Sequence, residues 1–114
     1  MIPWLVAFVF TQVVEVPIYL RALDAEGRKL STPLAILIGF GASALTHPIV
    51  WFVFPRVVPL SYWGMVGCAE AFAVGAEALY FRAFGVKRAL LWSLAANGAS
   101  AGLGLLCRHF FGWP

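Results

Sequence analysis

Charge is what this chain has least of. Only 11% of its 114 residues are Asp, Glu, Lys or Arg, against 62% hydrophobic, and the mean hydropathy is +0.89. Soluble domains carry roughly 25% charged and 45–50% apolar residues, so the deficit excludes an ordinary soluble domain and reads as a polytopic membrane protein. Each span takes about 20 residues, which leaves one transmembrane domain over residues 1–114 and no room for a soluble one. Cysteine is scarce too. Cys68 and Cys107 have neither metal-ligand spacing nor a disulfide framework and read as small buried apolar thiols in or near spans. An HExxH helix, Glu-x-x-His on one helix, a glycine-rich phosphate loop after a strand, a Ser/His/Asp arrangement and a basic-aromatic surface are all missing. The formal charge of +3 therefore does not signal a nucleic-acid partner: the basic residues sit at the ends of apolar runs, where they set topology.

What is present is four apolar runs, predicting an all-α four-helix transmembrane bundle with spans near residues 3–23, 33–54, 62–82 and 89–107. The first run has no positive n-region and no A-x-A site and contains Glu15, so it reads as a retained span and not a signal peptide. Pro17 is expected to loosen it one turn after Glu15. Ser31 or Thr32 before Pro33 caps the second span, and Pro48 predicts a kink beside His47. Tyr62 and Trp63 open the third span at an interface. Two small-residue patterns, Gly67-Ala71-Gly75 and Gly98 with Gly102, predict close approach of another helix. Arg21, Arg28, Lys29, Arg82, Lys87 and Arg88 lie on one side against Arg56 and Arg108 on the other. By the positive-inside rule the first side is cytoplasmic, both termini face outward, and the setting is a prokaryotic inner (cytoplasmic) membrane. Glu15-Val16-Pro17-Ile18-Tyr19-Leu20-Arg21 echoes Glu77-Ala78-Leu79-Tyr80-Phe81-Arg82, and Gly41-Ala42-Ser43-Ala44 echoes Gly98-Ala99-Ser100-Ala101. The chain thus reads as two repeated helical hairpins about an axis along the membrane normal.

Against this apolar background the polar residues stand out. Glu70 and Glu77, seven residues apart, lie on one helical face about 10 Å from each other. Counted from Arg21 and Arg82 at 1.5 Å per residue, Glu15 and Glu77 lie about 9 and 7.5 Å deep, one layer on two helices. Asn97 falls about 13 Å from Arg88. An outer layer holds Glu70 and Ser100 at about 18 Å and His47 about 22 Å from Thr32, with Gln12 and Thr46 near it. A carboxylate held charged near the bilayer centre costs at least about 2.5–3.5 kcal/mol, so each must be protonated, paired, metal-bound or wetted. No Lys or Arg is deep enough to pair with Glu70, which leaves His47 as its titratable partner from another helix. The set Glu15, His47, Glu70, Glu77, Asn97 and Ser100 is therefore the candidate proton- or ligand-binding centre. His47 and Glu70 are the candidate metal ligands, and a divalent metal ion is the cofactor such a set would hold. For each residue a packing role competes: Glu15 and Glu77 bonding hydroxyls, backbone or the cytoplasmic arginines, Glu70 and His47 pairing to fix the helices, Asn97 and Ser100 joining spans.

The combination of Glu15-x-Pro17-x-Tyr19, Thr46-His47-Pro48-x-x-Trp51, Glu70 with Glu77, and Asn97-x-x-Ser100 resembles a family of small uncharacterised four-span prokaryotic membrane proteins, across nearly the whole chain. That resemblance implies architecture and no activity. In length, span count and the first-span Glu15 the chain is also similar to the small multidrug resistance transporters, with Tyr62, Trp63 and Gly64-x-x-Gly67 like the features of that family's third span. That family has one dominant membrane carboxylate, whereas this chain adds His47, Glu70 and Glu77, and its charge bias opposes dual orientation.

The leading functional expectation is a polar centre that binds protons or a divalent cation, for transport or within a larger membrane complex. In that mechanism Glu70 and His47 exchange the ion, and Glu15 with Glu77 relays it inward. The alternatives are an intramembrane metal-dependent enzyme acting on a lipid or isoprenoid and a structural accessory subunit. The expected partners are membrane lipid and further copies of the chain, because four short helices enclose only a narrow cavity.

Overall fold

The structure is a computed structural model and describes residues 2–26, 30–57 and 61–112, with only the backbone of Ile2. The topology-setting Arg28 and Lys29 and the connection at residues 58–60 lie outside the described residues. Four long helices account for the fold: α1 (Ile2–Glu26), α2 (Thr32–Val57), α3 (Tyr62–Ala83) and α4 (Ala89–Phe111). Each is long and apolar enough to cross a membrane, and there is no strand among the described residues. The spans exceed the expected ones by up to about four residues at their ends.

Local chemistry explains where the helices begin and bend. Ser31 in extended conformation precedes α2, with Pro33 in its first turn, although the Ser31 hydroxyl makes no capping bond. Ser61 caps α3 by accepting from the Gly64 N–H at 3.2 Å. Pro17 is absorbed without breaking α1. Pro48 leaves a clearer mark: Ile49–Val53 is a π-helical stretch, closed by the Phe54 N–H reaching the Ile49 carbonyl. A proline cannot supply its N–H to the preceding turn, and a widened turn is one way a helix accommodates the loss. Gly85, at φ +86°, makes the tight turn into α4.

Successive helices pack side by side and α4 closes back on α1, so the four form a square ring whose diagonals barely touch. The ring is apolar outside and polar inside. Val13 is 69% exposed and Leu79 75%, whereas Gln12, Glu15, Ser43, Thr46, Glu77, Ser93, Asn97 and Ser100 are buried. That inversion suits a lipid solvent, in which apolar surface needs no cover and polar groups do. A tight apolar core of Tyr19, Leu23, Ile38, Phe81 and Val86 fills the end of the bundle that carries Arg82, Lys87 and Arg88. The Tyr19 and Phe81 rings stack there at 4.0 Å. Glu26 latches that end, accepting from Arg88 Nε at 2.6 Å and from the Trp92 indole. At the opposite end Arg108 donates to the Tyr62 hydroxyl and lies over its ring.

Two packing expectations are corrected. A Cβ placed on Gly67, Gly75, Gly98 or Gly102 would meet nothing within 4 Å, so among the described residues no helix packs closely against these glycines. Cys68 is exposed and not buried; it lies one residue from buried Ala69 and points to the lipid side. The close approach occurs at Gly41, where a Cβ would stand 2.6 Å from the Tyr80 hydroxyl. That hydroxyl donates to the Ile38 carbonyl at 2.8 Å. Gly41→Ala must push Tyr80 off this acceptor and is expected to cost about 1–2 kcal/mol. In a Tyr80→Phe background the same substitution should be nearly neutral, which a double-mutant unfolding cycle in detergent will read.

Candidate functional site

Glu15 and Glu77 form the centre of the bundle. Glu15, on α1, accepts from Ser43 Oγ of α2 at 2.6 Å on one oxygen and from Ser100 Oγ of α4 at 2.5 Å on the other. Glu77, on α3, accepts on Oε1 from the Tyr19 hydroxyl of α1 at 2.5 Å and from Asn97 Nδ2 of α4 at 3.2 Å, and on Oε2 from Thr46 of α2 at 2.7 Å. Both carboxyl groups are almost fully buried, and each lies within electrostatic reach of the other. Between them the two side chains tie every helix to its neighbours. All five donors are neutral groups, and no cation enters the cluster among the described residues.

A supporting layer orients the donors. Ser93 Oγ donates to the Val74 carbonyl at 2.8 Å, and Asn97 also reaches the Ser93 carbonyl at 3.0 Å, which fixes its amide beneath Glu77. Thr46 has a second acceptor in the Ala42 carbonyl at 3.3 Å, so its proton can turn away from Glu77. The two serines that match in the repeat, Ser43 and Ser100, clasp the same carboxylate. The repeat-equivalent tyrosines diverge: Tyr19 reaches Glu77, while Tyr80 reaches a backbone carbonyl. Tyr19 follows Glu15 by four residues and Tyr80 follows Glu77 by three, a difference of about 100° around the helix axis.

The structure thus joins Glu15, Glu77, Asn97 and Ser100 and brings in Ser43, Thr46 and Tyr19. Ser100 does not belong to a separate outer layer. Counting from Arg88 for Ser100 and from Arg21 for Glu15 separates the two, but Arg88 is level with Glu26, five residues beyond Arg21. Counted from Glu26 and Arg88, Glu15 and Ser100 are each about 17–18 Å deep. Serine and threonine three residues from a second polar residue, as in Ser43-x-x-Thr46 and Asn97-x-x-Ser100, were the available sequence signal.

The expected Glu70–His47 pair is not formed. Thr46 faces α3, and its neighbour His47, about 100° further round α2, turns to α1. There Nε2 lies 3.4 Å from Thr11 Oγ1, and the ring stands among Trp4, Phe8 and Trp51, with centroid distances of 6.2, 5.5 and 6.2 Å. His47 Nδ1, Gln12 Oε1 and Trp4 Nε1 are buried polar atoms without a partner among the described residues, all on the α1–α2 seam. Glu70 is half-buried and takes no hydrogen bond among the described residues, but it lies within electrostatic reach of both Glu77 and Glu15. With His47 and Glu70 apart, the expected two-ligand metal set is not assembled. Among the described residues no three His, Cys, Asp or Glu side chains gather as metal ligands do.

The donor pattern makes a contrast between two variants of Glu77. In Glu77→Gln the new amide can donate to Thr46 Oγ1, which turns its own proton to Ala42, while the remaining oxygen still serves Tyr19 and Asn97. This variant is expected to fold with nearly wild-type stability. Glu77→Ala leaves a buried phenol, amide and hydroxyl without their acceptor, at roughly 1–3 kcal/mol for each group left unsatisfied, and is expected to lower the thermal midpoint steeply. Comparison of the chain with family models, curated proteins and solved structures returns no match, so the reading of this site rests on its own geometry.

Proposed function

We propose that this chain is a proton-binding membrane protein of the transport class, and that the Glu15–Glu77 pair is its proton site. One observation carries the reading: two carboxyl groups from different helices share a lipid-shielded interior in which every described partner is a neutral donor. Like charges so placed favour holding a proton between them. The same donors disfavour a divalent cation, because hydroxyl and amide hydrogens already occupy the oxygens that a metal would need.

The route is asymmetric. Tyr19, Leu23, Phe81 and Val86 pack between the pair and the charged connections, whereas Glu70, two turns before Glu77 on α3, is half-buried on the other side of the pair. In this reading the structure is the state closed toward those connections, Glu70 passes protons to and from the pair, and opening requires the Tyr19–Phe81 stack to part. We further infer that the charged end is cytoplasmic and both termini face outward, in a prokaryotic inner membrane. Single cysteines at Asp24 and Ser61, in a chain whose native cysteines are replaced, should label from opposite sides.

Infrared spectroscopy on reconstituted protein tests the proton site. Wild type at neutral pH is expected to show the carbonyl band of a neutral carboxylic acid, shifted by isotope-labelled glutamate and lost in the Glu15→Gln, Glu77→Gln double variant. A spectrum that the double variant leaves unaltered would sink the proposal. If the band is present but a pH jump across proteoliposomes moves no protons in wild type, the site is structural, as in an accessory subunit. With transport intact, Glu70→Gln is expected to slow exchange about tenfold or more while leaving the band in place.

A further inference from the structure

The outer seam of the α3–α4 hairpin carries a second feature, separate from the carboxylate pair. A groove of about 430 Å³ runs along it, floored by Gly75, Ala78 and Ala89, walled by Leu79, Leu90 and Leu91, and rimmed at one end by Arg82, Lys87 and Arg88. The groove is shallow, open to the outside along most of its length and lined chiefly by apolar atoms. Its floor is open because Gly75 has no side chain and no neighbour: a Cβ there would meet nothing within 4 Å. Its walls are exposed leucines on a face that looks outward.

The rim has the opposite character. Arg82, Lys87 and Arg88 are exposed, and among the described residues only Arg88 of the three has an acidic partner, Glu26. Arg82 donates to the Lys87 carbonyl at 3.3 Å, which holds the turn and both cations together. The first turn of α4 begins at this rim, and no side chain caps it. Helix N-termini attract anions, and two unmatched cations beside one form a site for a phosphate group. An apolar channel leading from that point toward the bilayer centre has the shape of an acyl-chain track.

We propose that this groove binds an anionic glycerophospholipid, its phosphate held by Arg82, Lys87 and the start of α4 and one acyl chain lying over Gly75 and Ala78. The charge complement selects an anionic headgroup over a zwitterionic one, and the groove selects a lipid over a free anion. Bound there, the lipid would bridge α3 and α4 at the end of the bundle where the Glu26–Arg88 latch already joins α1 to α4.

Native mass spectrometry of the whole chain in nonionic detergent, titrated with phosphatidylglycerol, phosphatidylcholine or inorganic phosphate, tests this. Phosphatidylglycerol is expected to bind at least tenfold tighter than phosphatidylcholine. Removing both unmatched charges in Arg82→Gln with Lys87→Gln is expected to weaken it roughly thirtyfold, at about 1 kcal/mol per cation. Gly75→Leu, which fills the floor from a position where a Cβ meets nothing within 4 Å, is expected to weaken phosphatidylglycerol about tenfold and leave inorganic phosphate unaffected. Equal binding of the two lipids, or phosphatidylglycerol binding unchanged by Gly75→Leu, overturns the proposal. Inorganic phosphate that displaces the lipid at equal concentration also overturns it, in favour of a free-anion site. Should the double charge variant not fold, Gly75→Leu decides alone, since it alters only the outer face.

Discussion

Two carboxyl groups in an interior that water does not serve must find hydrogen-bond donors from the protein itself, and this requirement organises the bundle. Glu15 draws Ser43 and Ser100 to it, and Glu77 draws Tyr19, Thr46 and Asn97. The donors come from helices other than the one that carries the acid, so satisfying the acids sets the rotation of all four helices at once. Apolar packing alone could not do this. In lipid the outer leucines and valines gain little by turning inward, and helix orientation falls to the polar contacts and to close backbone approach.

The remaining features follow from where that polar layer sits. Below it, toward the charged connections, Tyr19, Phe81, Leu23 and Val86 fill the interior, and Glu26 with Arg88 joins α1 to α4. Above it Pro48 is followed by a π-helical stretch of α2, and the aromatic residues around His47 fill the α1–α2 seam. The buried apolar cluster thus lies on one side of the carboxyl pair and the proline-widened turn on the other. Gly67, Gly75, Gly98 and Gly102 lie on the outside, and of these Gly75 lines the groove beside Arg82 and Lys87.

His47 shows how a one-residue difference in direction decides a site. Thr46-His47-Pro48 is the most distinctive short element of the chain, and a histidine at that depth is the natural partner for a lone carboxylate. Yet Thr46 is the residue that meets the acid on α3. His47 is turned by the helical step onto α1, where its partners among the described residues are Thr11 and aromatic rings. Glu70 shares the Glu77 face of α3 and is left as an outlying charge.

Much of the architecture was legible without coordinates. Four runs of apolar residues, each about the length of a bilayer, impose four helices because only a helix satisfies its own backbone in lipid. Serine before proline and tyrosine at the third span mark two of their starts. The importance of Glu15 and Glu77 was legible too, since ionisable side chains are costly there wherever they point. Pairing was not. Depth counted along single helices depends on which residues are level, and only the contact of Glu26 with Arg88 shows that α1 extends a turn and more beyond Arg21. Whether Ser43, Thr46 and Tyr19 face inward is a matter of helix rotation, and rotation is set jointly by all four helices through contacts tens of residues apart in the chain. Local composition therefore determined what had to be buried, and the tertiary structure decided which donor met which acid.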